Sequence, residues 1–172
     1  MSKKPNILFF HVDNLGMGEL GCYGGGKLRG ADTKRIDAFC KEGTKLTHYV
    51  VEPQCTPTRS ALMTGRYPIR SGNHTIALGG NGGGLVTWEV TIAELLAQGG
   101  YKSSCLGKWH IGAEDGRFPT DHGFDEWYGP LRTYDECMWL EDPHYVPERD
   151  GYSHMHEGFK GKGARPLLDE QL

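Results

Sequence analysis

The first apolar block, Ile7 to Val12, is nearly continuous and is broken only by His11. A run of that length suits a central parallel strand buried on both faces. It ends in Asp13-Asn14-Leu15-Gly16, which predicts polar side chains at the strand's carboxyl end, the edge where open α/β sheets bind ligands. Thr33 to Glu42 has helical spacing: Ile36, Phe39 and Cys40 share a face, and Gly43 can close the helix in αL. Leu46 to Val51 is a second candidate strand. Thr56 and Pro57 stand as N-cap and first-turn proline before a helix over Thr58 to Met63. Thr91-Ile92-Ala93-Glu94 is a capping box. It opens a helix through Gln98, which Gly99-Gly100 stops. Tyr101 to Leu106 reads as the next strand, and Gly107 to Gly112 leaves its end. The order strand, helix, strand, helix, helix, strand predicts an α/β sheet. After Ala113 the periodicity decays into Gly, Pro, His and acids, with no repeat and no clean linker. Gly151 to Leu172 reads as loop or an unfinished element.

Composition narrows the classes. The 172 residues are 37% apolar and 24% charged, enough for one ordered domain with a core. The formal charge is −3, and no basic block or basic–aromatic stripe is present, so nucleic acid is not an expected partner. The 26 glycines, many in runs such as Gly24-Gly25-Gly26 and Gly82-Gly83-Gly84, predict long loops and close backbone approaches. Five cysteines, Cys22, Cys40, Cys55, Cys105 and Cys137, are an odd number without C-x-x-C spacing. That argues against a disulfide scaffold or a zinc ribbon. The apolar run after Lys3-Lys4 is too short for a signal h-region or a membrane span. A cytoplasmic location without a membrane partner is the expectation. A chain whose leader had been removed, periplasmic or secreted, would read the same.

The sharpest local chemistry is at Cys55-Thr56-Pro57-Thr58-Arg59. A cysteine at a helix start meets unpaired backbone N–H groups and the positive end of the helix dipole, which favour an anion and depress a thiol's pKa. Arg59 adds a planar cationic fork suited to oxyanions. Taken alone, these residues also fit a small buried cysteine followed by a surface arginine. A cysteine-phosphatase cradle is ruled out, because C-x5-R is required and Ala61 stands there.

Cys-x-Pro-Thr-Arg at 55–59, followed by Ser60-Ala61-Leu62-Met63-Thr64-Gly65-Arg66, resembles the first signature of the sulfatase family. Gly100-Tyr101-Lys102 through Gly107-Lys108-Trp109-His110-Ile111-Gly112 resembles the second. Pro5-Asn6-Ile7 through Asp13, and Gly123-Phe124-Asp125-Glu126-Trp127-Tyr128-Gly129, fit the family in order and spacing. The resemblance covers residues 5 to 130. Four blocks in one order are far more specific than any one of them.

The resemblance implies an α/β fold like that of alkaline phosphatase: a mixed, largely parallel sheet flanked by helices. It implies a sulfuric ester hydrolase of arylsulfatase type. Cys55 would be oxidised by a dedicated formylglycine-generating enzyme, and the hydrated aldehyde would attack sulfur and then release sulfate. Arg59 would steady the hydrate. Lys108 and His110 would contact sulfate and hydrate, Lys108 as a fixed charge and His110 as a hydrogen-bonding or proton-moving group. Their i, i+2 spacing puts both on one side of an extended segment. Asp13 matches the first calcium ligand, with Asn14 and the modified Cys55 beside it in the ligand set. Asn14 stands where the family commonly has aspartate, which removes one negative charge and leaves magnesium as an alternative to Ca²⁺. Read without the resemblance, Asp13 is equally a strand-end cap.

The family fold is considerably longer than 172 residues, so the resemblance makes this chain an N-terminal portion of a catalytic domain. No block after Gly129 matches the family's later metal ligands or its further His and Lys. The substrate expected is a small-molecule or carbohydrate sulfate ester. The alternatives are a phosphonate or phosphate ester hydrolase of the same superfamily, or a non-catalytic remnant. His11 is expected in the core. His74 is a weaker substrate candidate, and His144, His154 and His156 match no metal spacing. The loop from Leu78 to Leu85 is expected at the pocket mouth. Tyr134 and Trp139 stand in an aromatic stretch that either stacks on substrate or packs against the rest of the fold.

Overall fold

A computed structural model describes residues 4–26, 32–76 and 83–133, and the backbone of two later strands, 152–159 and 163–168. The chain forms two compact units, Met1–Val50 and Val51–Leu172.

The first unit is built on helix α1, Lys34–Glu42. Thr33 precedes it and serves as a polar anchor: its hydroxyl accepts from Gly21 N at 2.8 Å and donates to Asp37 Oδ1 at 2.9 Å. Asp37 Oδ1 also accepts from Cys22 N at 2.7 Å. The 3-10 turn Gly21–Tyr23, which follows a first one at Met17–Glu19, therefore docks at the start of α1 through its backbone donors. Four expectations fail here. The run Ile7 to Val12 has no regular secondary structure, and Ile7, Leu8, Phe9 and Phe10 are 58–79% exposed. A strand needs a partner at its edge, and among the described residues of this unit there is no strand to provide one. Leu46 to Val51 likewise forms no strand, and His11 is exposed instead of in a core. Gly43 ends α1 with φ −118°, extended and not left-handed.

The second unit holds a mixed sheet. Strand β1 is Ser104–Leu106 and β2 is Glu126–Pro130. They pair in parallel, with Cys105 opposite Trp127. Strands β3, Tyr152–Phe159, and β4, Gly163–Leu168, add antiparallel ladders in the order β1-β2-β3-β4. The region read as loop thus contains a hairpin, and β2 forms where periodicity had decayed. Beyond β1 the chain stays bound to β2 and its continuation: Gly107 N, Trp109 N and His110 N donate to the carbonyls of Tyr128, Pro130 and Leu131 at 2.8–3.1 Å. That approach requires glycine, since a Cβ on Gly129 would lie 2.0 Å from the Gly107 carbonyl.

Three helices flank this sheet: α2, Cys55–Thr64; α3, Pro68–Ser71; and α4, Ile92–Gln98. The capping box of α4 forms as expected, with Glu94 N donating to Thr91 Oγ1 at 3.3 Å and Thr91 N donating to Glu94 Oε2 at 2.7 Å. Helix α2 begins earlier than expected. Its N-cap is Gln54, and Thr56 and Pro57 lie inside the first turn. Proline is tolerated there because first-turn N–H groups have no intrahelical partner. Leu85, Trp109, Ile111, Phe118, Trp127 and Leu131 form the core, with Phe118 stacked on Trp127 at 6.3 Å and Trp109 edge-on to Phe124 at 6.2 Å. Among the described residues no helix is long and apolar enough to cross a membrane.

Candidate active site

Helix α2 starts at Cys55, which is half-buried in the first helical position. There the positive end of the helix dipole favours negative charge. Two side chains of α2 reach the segment that follows β1. Thr56, 5% exposed, donates from Oγ1 to the His110 carbonyl at 2.8 Å. Arg59, one turn further on, donates from Nη1 to the Lys108 carbonyl. The two sequence blocks around Cys55 and Lys108 are thus joined by hydrogen bonds 49 and 54 residues apart along the chain. Cys55, Arg59, Lys108 and His110 belong to one packed arrangement.

His110 is 6% exposed and has φ +59°, a left-handed conformation uncommon outside glycine. Its amide binds Leu131 while its carbonyl takes the Thr56 hydroxyl, so the turn is held from both sides. The regular extended geometry expected for Lys108 and His110 is interrupted by that turn. Lys108 is half-buried. Cys105, behind the site on β1, has its thiol pKa pushed up to about 11 by burial, while the Arg59 guanidinium pulls it down. Cys105 is therefore a protonated, inert thiol at neutral pH.

The frame beneath α2 is polar and closed. Ser60 and Ser71 hydroxyls meet at 2.9 Å, Thr64 donates to the Ser60 carbonyl at 2.7 Å, and Arg66 pairs with buried Glu89. Asn73, 2% exposed, donates to the Ser71 carbonyl at 3.0 Å. A cleft of about 240 Å³ lies beside this frame and is bounded by His110, Asn73 and Arg132 among others. Sequence reading missed Asn73 and Arg132. The available signals were weak: Asn73 follows the left-handed Gly72 that ends α3, and Arg132 follows the end of β2.

The other candidates are dispersed. Asp13 and Asn14 belong to the first unit, on an exposed turn where Asn14 has φ +60°. Asparagine is among the few residues that favour that conformation. Their oxygen donors suit a hard cation, yet they supply only part of the roughly six to eight that calcium takes. Among the described residues no group of three or more His, Cys, Asp or Glu is arranged to hold a metal ion. His74 is exposed beside the cleft-lining Asn73. Of the 78–85 loop, residues 78–82 lie outside the described residues, Gly83 and Gly84 line the cleft, and Leu85 is in the core. His144, Tyr134 and Trp139 lie outside the described residues. His154 and His156 fall on β3, where only the backbone is described.

His122, fully buried against Trp109 with ring centroids 6.1 Å apart, is a further residue the sequence did not single out. Burial lowers its pKa, against the opposing pull of the Glu94 and Asp121 carboxylates and the Leu85 backbone.

A family model described as "Sulfatase" matches residues 5–161. Human arylsulfatase D is 43% identical over 161 residues, which cover 86% of this chain and 26% of that protein. Human steryl-sulfatase is 41% identical over 141 residues, covering 74% and 24%. The chain spans about a quarter of the length of these curated relatives. Among solved structures, the PsFucS1 sulfatase from Pseudoalteromonas sp. aligns with a TM-score of 0.70 and 34% identity over 90% of this chain and 34% of its own. BT4656, solved with its substrate D-glucosamine-2-N,6-O-disulfate, aligns with a TM-score of 0.62 and 26% identity over 96% and 28%.

Proposed function

The chain belongs to the sulfatase family and has its α/β fold, and on that premise we propose that the protein hydrolyses sulfate monoesters through a formylglycine made from Cys55. The observation that carries this reading is the pair of hydrogen bonds by which Thr56 and Arg59 of α2 hold the carbonyls of His110 and Lys108. They join the modifiable cysteine to the cationic residues that a sulfate ester requires.

Each residue then has a physical task. A sulfate monoester is anionic and repels an anionic nucleophile, so cations and fixed donors must face the oxygens where charge develops. The first turn of α2 offers backbone N–H groups at residue 55. Arg59 anchors its guanidinium on the Lys108 carbonyl, which fixes that charge near residue 55. Lys108 contributes a second positive charge toward the non-bridging oxygens. His110, locked by its left-handed backbone, holds or moves a proton on its imidazole as the alcohol leaves. Formylglycine, when present as its hydrate, supplies two hydroxyl groups, one for attack on sulfur and one to restore the aldehyde. Calcium is the proposed metal, with the Asp13 carboxylate and the Asn14 amide oxygen as its ligands from the first unit.

The substrate class proposed is a carbohydrate or aryl sulfate ester. The test begins with the tryptic peptide from Leu46 to Arg59, isolated from the native host. The expected mass shows Cys55 having lost sulfur and two hydrogens and gained one oxygen. The same full-length protein is expected to release 4-nitrophenol from 4-nitrophenyl sulfate faster than from 4-nitrophenyl phosphate. An unmodified thiol together with no sulfate release would overturn the proposal. Faster phosphate release would move the protein to a phosphate ester hydrolase.

A further inference from the structure

Two cysteines of the first unit meet outside the candidate active site. Cys22 stands in the middle of the 3-10 turn Gly21–Tyr23, and Cys40 lies in the last turn of α1. The turn is laid directly on the helix. Asp37 Oδ1 accepts from Cys22 N at 2.7 Å and from the Thr33 hydroxyl at 2.9 Å. A Cβ on Gly21 would run into the carboxylate that those bonds hold in place, so the approach depends on glycine. Lys45 Nζ donates to the Cys22 carbonyl at 3.1 Å, so the backbone of Cys22 is anchored through both its polar groups. Cys40 follows Asp37 by three residues and shares its face of α1. The anchored turn thus brings Cys22 to Cys40, and their thiols hydrogen-bond to each other. Neither is bridged, and both are half-buried, which leaves them open to a small reagent. Burial and the Cys40 thiol push the Cys22 pKa up, so Cys22 rests as a thiol at neutral pH.

We propose that Cys22 and Cys40 form a reversible disulfide that clamps the turn Gly21–Tyr23 onto α1. The inference is independent of the hydrolase reading. The oxidant is a low-molecular-weight disulfide of the glutathione class. The thiolate of one cysteine attacks it, breaks its S–S bond and releases one glutathione thiolate, leaving a mixed disulfide. The thiolate of the second cysteine then attacks the protein sulfur of that mixed disulfide and expels the second glutathione. Two protein thiols are oxidised, one glutathione disulfide is reduced to two thiols, and the two protons lost by the cysteines pass to the leaving groups. Reduced glutathione runs both steps backward, so the turn is clamped or released according to the redox poise around it. The bridge restricts the opened turn far more than the closed one, and so it favours the docked state.

The test is peptide mapping by mass. Full-length protein is incubated with about 1 mM oxidised glutathione, a concentration in the range of a tethered second thiol, then alkylated and cut with trypsin. Cleavage separates residues 4–27 from residues 36–41, so the two peptides stay joined only through the bridge, with two hydrogens lost. The joined pair is expected to exceed peptides carrying glutathione on either cysteine by at least about tenfold, because the second thiol is already in contact. Dithiothreitol should restore both thiols. Hydrogen exchange at the Gly21 and Cys22 amides is expected to slow at least about tenfold in the bridged form. The double variant Phe39→Cys with Cys40→Ala keeps the number of cysteines but moves the second thiol to a position that is 77% exposed. Its yield of joined peptide is expected to fall at least about tenfold. Two unmodified thiols, glutathione retained separately on Cys22 and Cys40, or an equal yield in the double variant would overturn the bridge. Unchanged exchange at the two amides after bridging would overturn the clamp.

Discussion

Thr56→Val tests whether the joint between α2 and the Lys108–His110 segment is a true structural coupling. Valine keeps the β-branched shape, and with it the backbone restriction of a residue that precedes proline. What it removes is the O–H that donates to the His110 carbonyl at 2.8 Å in a site 5% exposed. A neutral hydrogen bond contributes about 1 kcal/mol net, and depriving a buried carbonyl of a donor raises the loss to about 1–3 kcal/mol. For a chain of this size each kcal/mol moves Tm by roughly 2–4 °C, so a fall of about 2–12 °C is expected. The local effect is more diagnostic than the melt. Hydrogen exchange at the Trp109 and His110 amides, which are bonded to Pro130 and Leu131, should accelerate by roughly 5–150-fold, the factor that corresponds to that loss. Thr56→Ser keeps the donor and loses one methyl, about 0.8 kcal/mol, and should leave those two amides near wild type. A wild-type Tm for Thr56→Val, or equal disturbance of the amides by Thr56→Ser, would show that the hydroxyl does not hold His110.

Other expectations follow from single contacts. Thr91→Ala removes both the cap of α4 and the donor to the His122 carbonyl at 2.6 Å. Circular dichroism on melting should show a loss of about 1–3 kcal/mol, and an unchanged melt would count against the capping box. His122 has a lowered folded-state pKa, so the unfolded chain binds the extra proton first. Its stability contribution is present above about pH 6.5 and is lost as pH falls through the lowered folded value, with a slope of at most about 1.4 kcal/mol per pH unit. Urea midpoints from pH 7.5 to 5 should show that decline, and His122→Phe should flatten it. Cys105, with its thiol near 11, should resist iodoacetamide at pH 8 in the native chain and react once urea is added. Labelling of native Cys105 at the rate of a free thiol would refute its burial. Arg59→Lys keeps the charge but breaks the fork held by the Lys108 carbonyl. Hydrolysis of 4-nitrophenyl sulfate by the full-length variant should fall about 10²-fold in kcat.

Much of the second unit was legible in the chain. The Thr91–Glu94 capping box is a contact over three residues, so its pattern and its geometry are nearly the same fact. Helix α2 and β1 were legible in kind, with their starts displaced: α2 begins at Cys55 before its expected cap, and β1 begins at Ser104 after Tyr101. Ends are decided by competition among neighbouring residues, which local preference weighs poorly. Strand β2 was missed because Glu126 to Pro130 is too short and too mixed to show a period. It is a strand because β1 and β3 pair with it. The reverse error occurred at Ile7 to Val12, where apolar density read as a buried strand while the segment is irregular and exposed.

The sequence by itself determined the chemistry available: a cysteine in a sulfatase signature, an arginine four residues on, and a lysine and a histidine in a second block. These are covalent facts, and four ordered blocks identify a family without any coordinates. Only the tertiary structure decided which of these residues meet. The Thr56 and Arg59 contacts span 54 and 49 residues, and the cleft joins Asn73 to Arg132. Contacts of that separation leave no local period. They exist because β1, β2 and the core around Trp109 and Trp127 fix the backbone on which these side chains stand. Burial and charge then act on whatever that backbone brings together, which is why Cys105 is an inert thiol, His110 is held in a left-handed turn, and Arg132 faces a cleft that no spacing rule announced.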